Sequence, residues 1–234
     1  MDETPPEGSK IDVGATKLVA FIGAIVMLLE GFLFLRFPYI NLVLYFITGF
    51  ACVAGGIILL LVLGVGFEVN TPIPYKWWLL LVIGGGVILF THHKYCRYWV
   101  CLGYSWYLGG LLVGIAGLME LLIEGGKLDW KASKFVMLIG AAIMIVLSIQ
   151  RILAMGNWVM LVSLSVAVAL ILQLFDVIPD EWWLTLIFVL AAFIIMPPLM
   201  PSVWVDIVSY TIFPVLPTCG SVLFVGFLLY ILDE

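Results

Sequence analysis

One acidic side chain lies inside an otherwise apolar stretch of this chain. Glu30 falls within residues 17–36, roughly 5 Å past the midpoint of that run if the run is helical. An acidic group near the centre of a bilayer costs about 2.5–3.5 kcal/mol on insertion scales, so it normally faces protein or water. Glu30 could therefore be a protonatable or cation-binding group inside a helical bundle. It could also be a neutral acid hydrogen-bonded to a neighbouring helix, and we favour this second interpretation.

Arg151 is the basic residue that could pair with Glu30. It lies near the end of the apolar run 134–153, and the alignment of the two halves given below places it about one helical turn beyond Glu30 in depth. A Glu30–Arg151 pair is therefore geometrically possible, although a long basic side chain near a helix end can also extend to the interface by itself. We favour the second arrangement. Glu120 and Asp206 lie near helix ends and are expected to face headgroups.

The segment H-H-K-Y-C-R-Y-W-V-C, residues 92–101, carries further side chains that could do chemistry. His92 and Cys96 would share a helix face, which would allow a soft-metal site, and Cys96 and Cys101 could be lipidated. The spacing fits no standard zinc pattern, so we favour a headgroup-level belt and predict no metal. The sequence also lacks nucleophile-elbow, metalloprotease and P-loop signatures. It predicts neither an enzyme nor a cofactor.

The composition predicts that lipid, not water, covers these elements. Hydrophobic residues make up 65% of the 234, charged residues 11%, and the mean hydropathy is +1.25. A soluble domain carries about 25% charged residues. The net charge of −5 gives no basic footprint for nucleic acid. Residues 1–16 are polar and acidic at their start, and we expect a disordered tail there.

Eight apolar runs follow the tail, and each is long enough to cross a bilayer or nearly so. The fold class predicted is all-α, a polytopic transmembrane helical bundle. Strands of a transmembrane barrel would alternate apolar and polar residues, which these runs do not. The runs cover residues 17–36, 39–66, 77–91, 98–123, 134–153, 157–175, 182–199 and 203–231.

Two internal echoes indicate that one unit is used twice. I-P-Y-K-W-W-L, from residue 73, returns as I-P-D-E-W-W-L, from residue 178. The run that starts at Lys17 is answered from Lys134, 117 positions later. Because four spans per unit return the chain to its starting side, the repeats should be parallel, related by an axis along the membrane normal. The predicted units are 17–125 and 134–232, with a polar connector at 126–133.

Tryptophans and glycines indicate how these helices are placed. Interfacial tryptophans anchor helix starts at headgroup level, and two pairs begin the third and seventh runs: Trp77, Trp78, Trp182 and Trp183. Gly110 and Gly114 form a G-x-x-x-G motif, which permits close approach of helix backbones. We therefore expect these two glycines at a helix–helix contact.

The first half resembles the HdeD-like membrane proteins. The resemblance rests on Phe37-Pro38 after the first run, the G-x5-G-G-I pattern of 49–57 and W-W-L-L-L-V-I-G-G at 77–85. It covers about the first 125 residues and recurs faintly afterwards. The later hairpins lack the F-P turn, and members of the family are typically shorter. The resemblance implies an all-helical envelope protein with no catalytic residues.

These features predict a non-enzymatic integral membrane protein, a scaffold or accessory subunit whose partners are the bilayer and other membrane subunits or a second copy. The alternative is a small transporter or channel that uses Glu30. Eight spans place both termini on one side. The positive-inside rule favours the cytoplasm for that side, by six basic residues against four. The six are Lys10, Lys17, Lys76, Lys127, Lys131 and Lys134, and the four are Arg36, Lys94, Arg97 and Arg151.

Overall fold

A computed structural model of the chain is all-helical over the residues it describes, which confirms the predicted helical class. These residues are 13–36, 42–64, 74–95, 108–126, 131–155, 160–195 and 218–232. They form eight helices: α1 Val13–Arg36, α2 Leu42–Leu63, α3 Trp77–Tyr95, α4 Leu108–Glu124, α5 Ala132–Met155, α6 Met160–Leu174, α7 Trp182–Ile195 and α8 Thr218–Leu232.

Helices α1–α4 pack as antiparallel neighbours. α1 lies between α2 and α4, while α3 packs on α4 and more lightly on α2. Glycines set the spacing, since a Cβ added to Gly31 would lie 2.9 Å from the Gly49 carbonyl oxygen of α2. A Cβ added to Gly23 would lie 2.9 Å from the Val113 nitrogen of α4. These approaches are possible because glycine has no side chain at either crossing.

Helices α5–α8 pack in the corresponding order. α5 lies between α6 and α8, while α7 packs on α8 and α6. Gly140 of α5 faces Leu223 of α8, and Gly226 of α8 faces Met137 of α5, so this pair is antiparallel too. The two sets of helices meet where α4 contacts α5 and α8. A buried apolar cluster built on α1–α4 continues there through Val136 and Val222.

Three of the described helices are long and apolar enough to cross a membrane. Their spans are Gly14–Phe32, Phe46–Leu63 and Ala132–Ile149. Shorter apolar helices cover Trp77–Leu89, Met160–Leu174, Trp182–Ile194 and Cys219–Leu232. Large apolar side chains such as Phe46, Phe50 and Val82 are more than half exposed on the helix surfaces. Lipid tails cover such faces at little cost, whereas water does not.

Helix α1 begins at Val13, four residues before the start that the apolar run suggests. A contact with another helix stabilises this extra turn, because Thr16 is fully buried and its hydroxyl donates to Glu120 of α4. The run 98–123 is described as helix only from Leu108. Its first ten residues lie outside the described part of the chain.

Candidate functional site

Glu30 lies at the contact between α1 and the first turn of α4. Its side chain is only 5% exposed. The Gly109 backbone N–H donates to both carboxylate oxygens at 3.3 Å, and the Leu108 N–H also donates to the carboxylate. The first N–H groups of a helix have no partner within that helix and carry its positive dipole end. Glu30 therefore caps α4 from a neighbouring helix.

This contact depends on a close approach of two backbones. Gly109 lies against Met27 of α1, one turn before Glu30, and a Cβ on Gly109 would collide with the Met27 backbone nitrogen. Cys52 of α2, buried to 1% exposure, is an electrostatic neighbour of the carboxylate. Every described partner of Glu30 thus belongs to α1–α4.

Several residues singled out from the sequence have side chains outside the described part of the structure. Arg151 lies in α5, but its side chain is outside the described part of the structure, so its pairing with Glu30 stays a prediction. The same holds for the side chains of His92, Cys96, Cys101 and Asp206. Among the described residues, no three His, Cys, Asp or Glu side chains lie close enough together to hold a metal ion.

A polar group lies at the other end of α1, and we call it the Tyr75 cluster: Thr16, Lys17, Tyr75 and Glu120. The sequence predicted only that Glu120 faces headgroups and did not predict the cluster. Thr16 donates to the Glu120 carboxylate at 2.8 Å. The Lys17 ammonium lies 5.8 Å from the centre of the Tyr75 ring, within cation–π range. Burial raises the pKa of Tyr75 to about 12, and the Glu120 charge adds to this rise while Thr16 opposes it.

A second polar group, the Asp180 cluster, lies at the start of α5: Lys134, Asp176, Asp180 and Tyr230. The Lys134 ammonium is 2.9 Å from an Asp176 carboxylate oxygen and 3.8 Å from one of Asp180. The Tyr230 hydroxyl of α8 donates to the Asp180 backbone carbonyl at 3.4 Å. This cluster ties the α6–α7 loop to the first turn of α5 and the last turn of α8.

Two hydrogen-bonded pairs connect the helices of the second set. The Ser148 hydroxyl of α5 donates to the Met144 carbonyl at 2.7 Å and accepts from the Ser163 hydroxyl of α6 at 2.9 Å. Gln173 of α6 donates to the Thr185 hydroxyl of α7, also at 2.9 Å. All four side chains are buried, so each pair satisfies groups that lipid could not.

The predicted packing glycines both lie beside α3. A Cβ on Gly84 of α3 would lie 2.6 Å from the Gly110 oxygen and 2.6 Å from the Gly114 nitrogen. A Cβ on Gly110 would lie 3.0 Å from the Gly84 oxygen, whereas one on Gly114 would meet nothing within 4 Å. Gly84, which the sequence motif did not include, is therefore the glycine whose missing side chain matters most at this crossing.

The four tryptophans stand at helix starts, as their positions in the sequence suggest. α3 begins with Trp77 and Trp78, and α7 begins with Trp182 and Trp183. Trp78, Trp182 and Trp183 are 41%, 51% and 48% exposed. The first pair follows Tyr75 of the Tyr75 cluster, and the second follows Asp180 of the Asp180 cluster.

An apolar groove of about 250 Å³ runs along α5. It is lined by Ile139, Ala142, Ile143, Val146 and Leu147, with no polar surface. Such a groove offers nothing to orient a polar solute, because orientation in binding sites comes from a few placed polar groups.

The chain matches no protein-family model, no curated protein and no solved structure. Its similarity to the HdeD-like proteins therefore stays a prediction from the motifs in the first half.

Proposed function

We propose that this chain is a non-enzymatic, multi-pass membrane protein that acts as a scaffold or accessory subunit of a membrane complex. The observation that carries the proposal is the Glu30 carboxylate, which is occupied by the first N–H groups of α4. The one acid that the sequence places deep in a span thus has a structural task. No bound substrate or ion is needed to explain why an acid lies at this position.

The architecture proposed is eight spans in two parallel four-helix repeats. Support comes from the order of helix contacts, since α1 packs on α2 and α4 as α5 packs on α6 and α8. Further support comes from the polar clusters, each of which lies where the first helix of its set begins. The Tyr75 cluster includes the α4 end, and the connection from Glu124 to Ala132 is short. That arrangement favours both termini on one membrane side.

The exposed apolar faces support a role in assembly. Phe46 and Phe50 of α2 are 60% and 63% exposed, and Leu153 of α5 is 81% exposed. These faces can be covered by lipid or by other spans. Because the described loops carry no folded domain, contacts of the subunit would be made mostly within the bilayer.

The proposal is tested by the native mass of the protein after gentle extraction from its own membrane. A mass that exceeds one chain plus bound detergent, and that contains further membrane proteins or copies, is expected. The same preparation of Glu30→Gln should keep that mass, because an amide oxygen still accepts a hydrogen bond at the α4 terminus. A chain that always travels alone would overturn the scaffold role.

A transporter or channel is the second candidate, and one observation favours it. Helix α4 starts beside Glu30, which lies six residues, or roughly 9 Å, before the end of α1. Helix starts inside a membrane can serve ion sites. Purified protein in vesicles would then show ion flux that Glu30→Gln eliminates and Glu30→Asp retains in part. We expect no flux in any of the three proteins.

A further inference from the structure

The Tyr75 and Asp180 clusters correspond position by position under the alignment of the two halves. Lys17 aligns with Lys134, and the hydroxyl residue before each lysine is Thr16 in one half and Ser133 in the other. In the loop echo, Tyr75 aligns with Asp180. All of these residues lie near the start of the first helix of their own four-helix set.

The fourth helices complete the correspondence. Gly23 of α1 faces Val113 of α4, and the aligned Gly140 of α5 faces Leu223 of α8. These two contacts align α4 with α8 at an offset of 110 positions, because Val113 then corresponds to Leu223. Glu120 then aligns with Tyr230. Tyr230 donates to the loop of its set, while Glu120 accepts from Thr16 beside Lys17 and acts on Tyr75 of its loop through its charge.

The two clusters therefore share a lysine, a tyrosine and an acid, with the tyrosine and the acid exchanged between loop and helix. Asp176 is a further acid of the second cluster, and the hydroxyl of Ser133, which aligns with Thr16, takes no part in its hydrogen bonds. In the first set the loop supplies the tyrosine and the fourth helix supplies the acid. In the second set the loop supplies the acid, Asp180, and the fourth helix supplies the tyrosine, Tyr230. In each set the lysine of the first helix interacts with side chains of the loop. Lys17 lies over the Tyr75 ring, and Lys134 pairs with Asp180 and Asp176.

We infer that the two clusters are one latch used twice, which fastens the loop between the second and third helices to the ends of the first and fourth, with its acid and tyrosine exchanged between loop and helix. The latch fixes the loop that leads into each tryptophan pair, so it sets where α3 and α7 enter the bilayer. This inference does not depend on the scaffold role, because a transporter would need the same entry points.

The test is an exchange of the two groups in the first set, read as the thermal unfolding midpoint of the full chain in mild detergent. Tyr75→Asp alone adds a second carboxylate near the Glu120 charge, and Glu120→Tyr alone removes the carboxylate that accepts from Thr16. Each single variant should lower the midpoint by about 3–6 °C, the scale of one or two lost polar contacts in a chain of this size. The double variant Tyr75→Asp/Glu120→Tyr reproduces the second latch, with Lys17 facing a carboxylate, and should return to within about 2 °C of wild type.

Tyr75→Asp/Glu124→Tyr is the matched control. It has the same composition and net charge as the exchange, but Glu124 is exposed and one turn beyond the cluster. It should stay as low as Tyr75→Asp alone. A full exchange that is no more stable than this control would overturn the inference.

A double-mutant cycle of conservative substitutions tests the inference if an exchange variant does not fold. Tyr75→Phe, Glu120→Gln and their double variant change few atoms. If the two residues belong to one latch, the shift in midpoint of the double variant should differ clearly from the sum of the two single shifts. Purely additive shifts would contradict the latch in the first set. Lys134→Gln with Asp180→Asn applies the same criterion to the ion pair of the second set.

Discussion

Glu30 and Leu147 occupy matched positions in α1 and α5, and they satisfy different requirements. Leu147 is 3% exposed and packs into the apolar cluster of the second set. Glu30 is equally buried, but it faces the first N–H groups of α4, which would otherwise have no acceptor in an apolar surrounding. The acid is therefore explained by the helix end beside it, and its removal should affect the stability of that end first.

The Glu30 series measures this capping role directly. Glu30→Ala should destabilise the protein by about 1–2 kcal/mol, because a cap is lost and buried N–H groups are left without a partner. Glu30→Gln should cost less than Glu30→Ala, since one acceptor oxygen remains. Glu30→Asp should lie nearer to alanine, because the shorter side chain falls short of α4. The measurement is the thermal midpoint in detergent, and an aspartate variant as stable as wild type would contradict the capping geometry.

Tyr75 predicts a loss of stability at high pH. A free tyrosine has a pKa near 10, whereas the pKa of Tyr75 is raised to about 12. The folded state therefore favours the neutral phenol, and its contribution is fully present below about pH 10 and lost as pH rises through 12. An alkaline titration of tyrosinate absorbance in wild type minus that in Tyr75→Phe should show this late midpoint. A difference curve centred near 10 would rule out a buried phenol.

Close crossings at the scale of helices depend on single glycines. Gly84 has the α4 backbone 2.6 Å from the place where its Cβ would be, while the next residue, Gly85, has nothing within 4 Å of that place. Both glycines lie in α3, so they share the same intrinsic helix penalty. Any difference between their alanine variants therefore reports the crossing alone.

Gly84→Ala should destabilise and Gly85→Ala should not. Alanine gains about 1 kcal/mol over glycine inside a helix, whatever it faces. At Gly84 this gain is outweighed, because a methyl group forced against backbone atoms costs about 1–3 kcal/mol and the backbone cannot rotate away. Gly85→Ala should be neutral or slightly stabilising. Thermal midpoints of the two variants in one detergent test this, and equal midpoints would show that α3 and α4 do not cross at Gly84.

Local patterns in the sequence predicted most helix positions, because apolar runs and tryptophan starts are properties of short segments. α3 begins at Trp77 and α7 at Trp182, where the runs begin. The partner of Glu30 could not be predicted in this way, since Gly109 is 79 positions away and nothing local marks it. Part of the Tyr75 cluster could have been predicted from the sequence, because a hydroxyl residue precedes the lysine in both repeats. Only the structure shows that Glu120 accepts from Thr16 there and that Lys17 lies over Tyr75.

At the scale of the whole molecule, the two polar clusters of the described residues lie where helices begin and end. The Tyr75 cluster involves the start of α1 and the end of α4, and the Asp180 cluster involves the start of α5 and the end of α8. If the eight-span arrangement holds, both clusters lie at one membrane face and the chain leaves that face at both termini. The face opposite then carries the connections between α1 and α2 and between α5 and α6.

Labelling of single cysteines in sealed membranes tests this arrangement. The four native cysteines, Cys52, Cys96, Cys101 and Cys219, are first replaced by serine or alanine, and one cysteine is then introduced per protein. Cysteines at Pro5 and Asp233 should react with an impermeant reagent from the same side, because eight spans return the chain to its starting side. A cysteine at Tyr39, between α1 and α2, should react only from the other side and serves as the control. Reaction of positions 5 and 233 from opposite sides would require an odd number of spans. Two parallel repeats of four spans each would then be excluded.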